Sequence, residues 1–240
     1  CTSNSNVSIL QDITPPIADA GIDKTITCTA ISVNIGTPAI LNTSYTWNPS
    51  IGLSSINIAQ PNAIKNGIYT VTATNNINGC TASNSVIVSI DTLKPIANAG
   101  IDKLLTCATT SVSIGSNAIS GINYSWSPSS GLNFGSITSK PDAILPNTYT
   151  LTALNPSNGC VNTDMVIVSQ NTSKPAVDAG IDKTLTCTTT SQTLSASSTT
   201  AGVTYTWSNG GTSITNTITS GGTYTVTATE PGGCTATATT

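Results

Sequence analysis

The stretch GIDKTITC, beginning at Gly21, returns as GIDKLLTC at Gly100 and as GIDKTLTC at Gly180. The two intervals differ by a single position. A fixed period of this kind constrains a fold more than any other sequence feature. The remaining landmarks recur in the same order. YTW at Tyr45 becomes YSW at Tyr124 and YTW at Tyr205. YTVTAT at Tyr69 becomes YTLTAL at Tyr149 and YTVTAT at Tyr224. A Gly-Cys pair closes each cycle at Cys80, Cys160 and Cys234, and the linkers DITPPIADAG, DTLKPIANAG and NTSKPAVDAG reset it. A period near 80 is too long for a solenoid and fits an array of small domains with separate cores.

Within residues 15–91, period-two segments such as KTITC, SVNIG, SYTWN, IYTVTAT and NSVIVSI alternate with turn chemistry such as GTP, NPSIG and KNG. No stretch carries a helical apolar stripe. About seven short strands in a repeat of this length imply an all-β antiparallel sandwich. The expected division is residues 1–14 as the last strand of a preceding repeat, then sandwiches over 15–92, 93–172 and 173–240, with the final strand incomplete. Cys1 aligns with Cys80, which accounts for the odd count of seven cysteines.

Composition narrows the function. Only 7% of residues are charged and the net charge is -3, so no field attracts nucleic acid or a membrane surface. Low charge with few aromatics can mean disorder, but the apolar residues alternate and recur in register. Apolar runs are too short for membrane insertion. With no His and no recurring carboxylate pair, no general base is evident, and the expectation is a non-enzyme without cofactors. The Gly-rich spots at Gly210 and Gly221 belong to turns, not to phosphate loops.

Trp47, Trp126 and Trp207 each follow an aromatic on the same strand face. We read them as core residues between two sheets, with an exposed platform for sugars as the alternative. Tyr69, Tyr149 and Tyr224 open the next strand and cap the same core. Asp23, Asp91, Asp102 and Asp182, with Asp19 and Asp178, flank the linkers and are the oxygen-rich candidates for Ca2+, without EF-hand or cadherin-like spacing. Lys24, Lys103 and Lys183 in the repeated IDK invite Lys–Asn isopeptide chemistry, against a plain polar turn. Asp91-Thr92-Leu93 matches a short bacterial O-glycosylation pattern, and N-x-S/T occurs at Asn6, Asn42, Asn123 and Asn171.

The combination DTLKPIANAGIDKLLTC, YSWSPSSGL and NTYTLTALNPSNGC resembles the PKD and immunoglobulin-like repeats of large Bacteroidetes cell-surface adhesins. Those proteins leave through the type IX secretion system, and some serve gliding motility. The resemblance covers all three repeats. Repeat three departs, reading WSNGGTS where the others have W-x-P-x-x-GL, so its loop should be shorter. The resemblance implies a bacterial surface location. The implied role is a structural segment of a stalk, adhesin or filament. The alternative is a glycan- or protein-binding module using exposed Trp or loop faces. Partners would be neighbouring repeats, identical chains in a fibre meeting through the SIGL and SSGL loops, or surface glycans.

Two cysteines per repeat, without His and without C-x-x-C spacing, argue for disulfides over zinc and for an oxidising compartment. Three pairings remain open. Within a repeat they are Cys28–Cys80, Cys107–Cys160 and Cys187–Cys234, closing loops of roughly 50 residues and contributing roughly 4 kcal/mol each in the chain-entropy model. Across the linker they are Cys1–Cys28, Cys80–Cys107 and Cys160–Cys187, all with the same spacing. The strand order implied by a PKD-like fold gives a third set, Cys28–Cys160 and Cys107–Cys234, which staples one repeat to the next. The within-repeat set is the leading expectation.

Overall fold

A computed structural model describes residues 5–133 and 135–240. The reading of Cys1 lies outside the described residues. The chain is all-β, and among the described residues no helix is long and apolar enough to cross a membrane.

The first repeat contributes β1 (Lys24–Thr27), β2 (Val33–Asn34), β3 (Thr43–Asn48), β4 (Asn62–Ala63), β5 (Gly67–Asn75) and β6 (Thr81–Asp91). One sheet has the order β1-β6-β5-β3. Antiparallel pairing sets Trp47 opposite Val71 and Tyr69 opposite Val86. The edge strand β1 runs parallel to β6, from Lys24 opposite Val88 to Thr27 opposite Asp91. Facing it is a small sheet of β2 and β4, extended by a bridge from Leu53 to Ala63. This is a sandwich of immunoglobulin type. Strict alternation on β5 sends Tyr69, Val71 and Ala73 inward. Tyr69 and Val71 meet Ile26, Ile35, Trp47, Val86 and Val88 in the core.

The second repeat repeats the plan with β7 (Lys103–Thr106), β8 (Val112–Ser113), β9 (Asn123–Ser127), β10 (Leu132–Asn133), β11 (Asp142–Ala143), β12 (Asn147–Asn155) and β13 (Cys160–Asn171). Its sheets are β7-β13-β12-β9 and β10-β11-β8, with β7 again parallel to the end of the last strand. The third repeat has β14 (Gln192–Ser195), β15 (Thr204–Trp207), β16 (Thr215–Ile218), β17 (Thr225–Thr229) and β18 (Thr235–Thr239). These form β15-β17-β18 and β14-β16. After Trp207 the chain returns at once, by a bond from its N–H to Gly211 O, whereas Trp47 N–H reaches Ile56 O. Residues 183–186 form no strand in this repeat.

The Asp of IDK has a local task. Asp23 Oδ1 accepts the Ile87 N–H at 2.9 Å, and Asp102 Oδ1 accepts that of Ile167 at 2.9 Å. Each carboxylate extends the parallel ladder by one step, fixing the edge strand to the sheet. Lys24 and Lys103 are half-buried and Lys183 is exposed, so none has the buried setting that isopeptide chemistry requires.

By contact the chain divides into two compact units. One comprises residues 1–95 with 154–161, and the other residues 96–153 with 162–240. The hairpin tip between β12 and β13 thus belongs with the first repeat.

Candidate functional site

The recurring GIDKTITC and NGC motifs converge on one construction. In the first unit, Cys28 follows β1 in a tight turn. The Thr27 N–H donates to Ala30 O at 3.0 Å, and Thr27 Oγ1 accepts the Ala30 N–H at 3.0 Å. Thr106 and Thr109 make the same turn around Cys107, and Thr186 and Thr189 make it around Cys187. The hydroxyl of T-C thus holds the cysteine on a knuckle.

Opposite Cys28 stands the tip of the β12–β13 hairpin. Gly159 takes φ 69°, and its N–H donates to Asn155 O. Asn158 is 1% exposed, and all its bonds serve the junction. Its Nδ2 donates to Asp91 Oδ1 at 2.8 Å and to Leu93 O at 3.0 Å. Its Oδ1 accepts the Cys160 N–H at 2.9 Å. Its main-chain oxygen accepts the Cys28 N–H at 3.1 Å. The side chain of one repeat therefore clamps the linker that leaves the previous one, and Cys28 bonds Cys160 with Cα atoms 5.0 Å apart. A Cβ on Gly159 would lie 2.4 Å from Thr29 Cγ2, so the glycine is also what lets the two elements touch.

In the second unit Cys107 bonds Cys234 with the same Cα separation, 5.0 Å. The Ala108 N–H donates to Gly232 O at 2.9 Å, and a Cβ on Gly233 would lie 2.6 Å from Ala108 Cβ. Gly232 stands where Asn158 stood, so the amide clamp is missing.

The within-repeat pairing is corrected by strand geometry. Cys80 immediately precedes β6, while Cys28 follows Thr27, which is opposite Asp91 at the far end of β6. Ten steps of about 3.3 Å separate these ends, and a disulfide tolerates Cα atoms only about 7 Å apart. The linker pairing fails because Cys107 and Cys160 are already bonded elsewhere. Cys80 and Cys187 are free thiols in this chain, half-buried and exposed respectively.

Trp47, Trp126 and Trp207 are 2%, 4% and 2% exposed. Each indole N–H donates to a main-chain oxygen, of Ile58, Thr138 and Ser213 respectively. No ring face is offered to a sugar. The Tyr69, Tyr149 and Tyr224 hydroxyls donate to the carbonyl four residues upstream, of Lys65, Leu145 and Ser220, the tyrosine corner of immunoglobulin-type sandwiches. Burial raises the Tyr69 and Tyr149 hydroxyls above the ordinary phenol value.

The Ca2+ candidates do not gather. Asp23 and Asp102 hold ladder amides, Asp91 holds Asn158, and Asp182 accepts from Thr240 Oγ1. Among the described residues no three His, Cys, Asp or Glu side chains are placed to hold a metal.

No family model and no curated protein matches the chain. Among solved structures, it is similar to a three-immunoglobulin fragment of titin, at 14% identity over 95% of this chain and 98% of that one, with a TM-score of 0.42. It is similar to the eight N-terminal immunoglobulin domains of Down syndrome cell adhesion molecule, at 14% identity, 94% and 41% coverage and a TM-score of 0.41. Extracellular domains 3–5 of Drosophila OTK follow at 10% identity, 95% and 94% coverage and a TM-score of 0.33. The fold class of this chain rests on its own strand order and registers.

Proposed function

We propose that the chain is a tension-resisting segment of an extracellular stalk, adhesin or filament at a bacterial surface. The observation that carries this reading is the pair of disulfides, each joining one repeat to the next. A bond between repeats limits how far the chain can be drawn out and also ties one domain to the next, which a bond within a domain does not do. Disulfides also persist in oxidising, extracytoplasmic settings. The sparsely charged Ser/Thr surface suits a spacer that does not bind indiscriminately. The family resemblance of the repeats adds the Bacteroidetes surface and type IX export to this proposal. The glycan-binding alternative loses its main support in the burial of the three tryptophans.

The test is a non-reducing peptide mass map of protein secreted from its native host. Cys28 linked to Cys160 and Cys107 linked to Cys234 is the expected result. Unlinked thiols at these four positions would remove the mechanical role and the extracytoplasmic setting together.

A further inference from the structure

Asparagine followed by glycine is a reactive pair, because no Cβ hinders the glycine nitrogen as it reaches the side-chain amide. The chain holds four such pairs, at Asn66, Asn78, Asn158 and Asn209. Their surroundings differ. Asn66 is exposed, and among the described residues its side chain has no hydrogen-bond partner. Asn209 is exposed and pairs with the Asn216 side chain. Asn158 lies at the other extreme, 1% exposed.

Every group that the reaction would use at Asn158 is already held. The attacking nitrogen is that of Gly159, and its proton goes to Asn155 O at 2.8 Å. The amino group that would leave donates to Asp91 Oδ1 and to Leu93 O. The amide oxygen accepts the Cys160 N–H. Attack makes the side-chain carbon tetrahedral. That swings the amino group out of the amide plane and breaks both of its bonds, which is costly for a buried donor. Cys160 is fully buried, but its disulfide partner Cys28 is exposed. A soluble thiol therefore reaches the junction from the Cys28 side.

We propose that Asn158 is a self-modification site, latent in the stapled junction and released when the Cys28–Cys160 bond is broken. A soluble dithiol breaks that bond by exchange and is itself oxidised. In the opened junction the Gly159 nitrogen loses its proton and attacks Asn158 Cγ. A C–N bond forms to Gly159, the bond to the amino group breaks, and that group leaves with the proton as ammonia. The product is a five-membered succinimide ring. Water then opens the ring at either carbonyl, leaving aspartate or isoaspartate. Either product ends the clamp. A carboxylate has no N–H for Leu93 O, and it meets the Asp91 carboxylate where a hydrogen bond now stands, an arrangement that like charges disfavour. Isoaspartate also lengthens the main chain by one carbon just before Gly159. The junction is thus a one-way device. Closed, it protects its own asparagine; opened and converted, it does not close again in the same geometry. Gly232 occupies this place at the second junction, so Cys107–Cys234 can be broken and re-formed without that loss. This goes beyond the structural-segment reading and needs only the geometry of the junction.

The test incubates the full chain in mildly alkaline buffer, with or without dithiothreitol, and follows each Asn-Gly peptide by mass spectrometry with isoaspartate detection. Asn66 should convert in both conditions. Asn158 should stay intact in the oxidised chain and convert at least about tenfold faster with the thiol. Asp91→Ala removes one acceptor and leaves every cysteine in place. It should speed Asn158 conversion in the oxidised chain by about tenfold, with Asn66 unchanged. After the thiol is removed, chains with Asn158 intact should recover Cys28–Cys160. Converted chains should recover it at least about tenfold less, while Cys107–Cys234 returns in both. Conversion of Asn158 at the rate of Asn66 in the oxidised chain, or indifference to Asp91→Ala, would overturn the protection. An Asn158 that stays silent after reduction yet converts in denaturant would overturn the release. Equal recovery of Cys28–Cys160 in converted and intact chains would overturn the one-way step.

Discussion

Pulling on the chain should reveal that its two staples interlock. Cys28–Cys160 and Cys107–Cys234 overlap in sequence, so neither loop lies outside the other. From Cys28 to Cys234 the free polypeptide would stretch over about 206 residues, or roughly 720 Å at about 3.5 Å per residue. With both bonds intact the shortest covalent path crosses to Cys160, runs back to Cys107, and crosses to Cys234. That path holds only about 53 residues, or roughly 185 Å. Full reduction therefore releases roughly 540 Å. Removing one bond releases far less. In Cys28→Ser the path becomes the run from Cys28 to Cys107, about 79 residues, and in Cys107→Ser it becomes the run from Cys160 to Cys234, about 74 residues. The gains are then only about 90 and 75 Å. Single-molecule force spectroscopy on the fully unfolded chain, with and without reductant, reads these lengths directly. Full reduction alone does not discriminate, because bonds within each repeat would leave a path of nearly the same length. The single variants do discriminate. Cys80→Ser and Cys187→Ser should change nothing. A gain in either, or a gain in Cys28→Ser equal to that of full reduction, would refute the interlocked arrangement.

Three further outcomes are expected. Gly79→Ala and Gly159→Ala impose the same left-handed strain, about 1 kcal/mol, but only Gly159→Ala adds a clash with Thr29. An overpacking cost of roughly 1–3 kcal/mol should then lower hydrogen-exchange protection of the Cys28 amide by about tenfold to a hundredfold in Gly159→Ala alone. Asp23→Ala should free the Ile87 amide and fray β1, at a cost of about 1 kcal/mol, visible as faster exchange at Ile87 and Val88. Asp23→Asn, which keeps an acceptor, should restore most of the protection. Two groups set opposite pH limits. The Thr14 main-chain N–H, then the Thr14 and Asn78 side chains, hold Asp12 below the ordinary carboxylate value of 3.8. Its contribution is present above that value and is lost as pH falls through the depressed one. Tyr69 and Tyr149 are raised by burial above 10.0, so their contribution is complete below that value and is lost as pH climbs through the raised one. Ultraviolet titration of the phenols and Thr14 amide exchange across the acid range check the two directions.

Much of the fold was legible because the repeat made each pattern appear three times. Alternation in YTVTAT placed Tyr69, Val71 and Ala73 on one face, and they are buried together. Other features resisted reading. Ile22, Ile101 and Ile181 look like core residues by hydropathy, yet all are exposed, because each lies outside a strand, where period-two logic does not apply. The strand of KTITC was visible, but its parallel pairing with the last strand was not, since alternation says nothing about direction. That pairing decides the cysteine chemistry. Once β1 runs alongside the end of β6, Cys28 and Cys80 are at opposite ends of one strand. The roles of Asp23 and Asn158 were hidden for a related reason. Their partners, Ile87 and Asp91, lie 64 and 67 positions away along the chain, and no local spacing encodes such a reach. The one available signal was their recurrence, Asp at every IDK and Asn before the first two Gly-Cys pairs.

The two junctions share a disulfide, a threonine knuckle and a close-packed glycine, and differ in the residue before that glycine. At Cys28–Cys160 the side-chain amide of Asn158 joins linker and hairpin tip, and its main-chain oxygen adds the knuckle. At Cys107–Cys234 Gly232 has no side chain to offer, and the Glu230 carboxylate instead accepts the Cys234 N–H at a long 3.4 Å. A buried, fully satisfied polar group favours one arrangement over its neighbours, because any other leaves its donors unpaired. The disulfide alone fixes a distance but not an orientation. The sequence therefore separates two properties that a tandem array needs, a limit on extension and a single preferred geometry at the junction. Both junctions carry the first, and Asn158 adds the second at one of them.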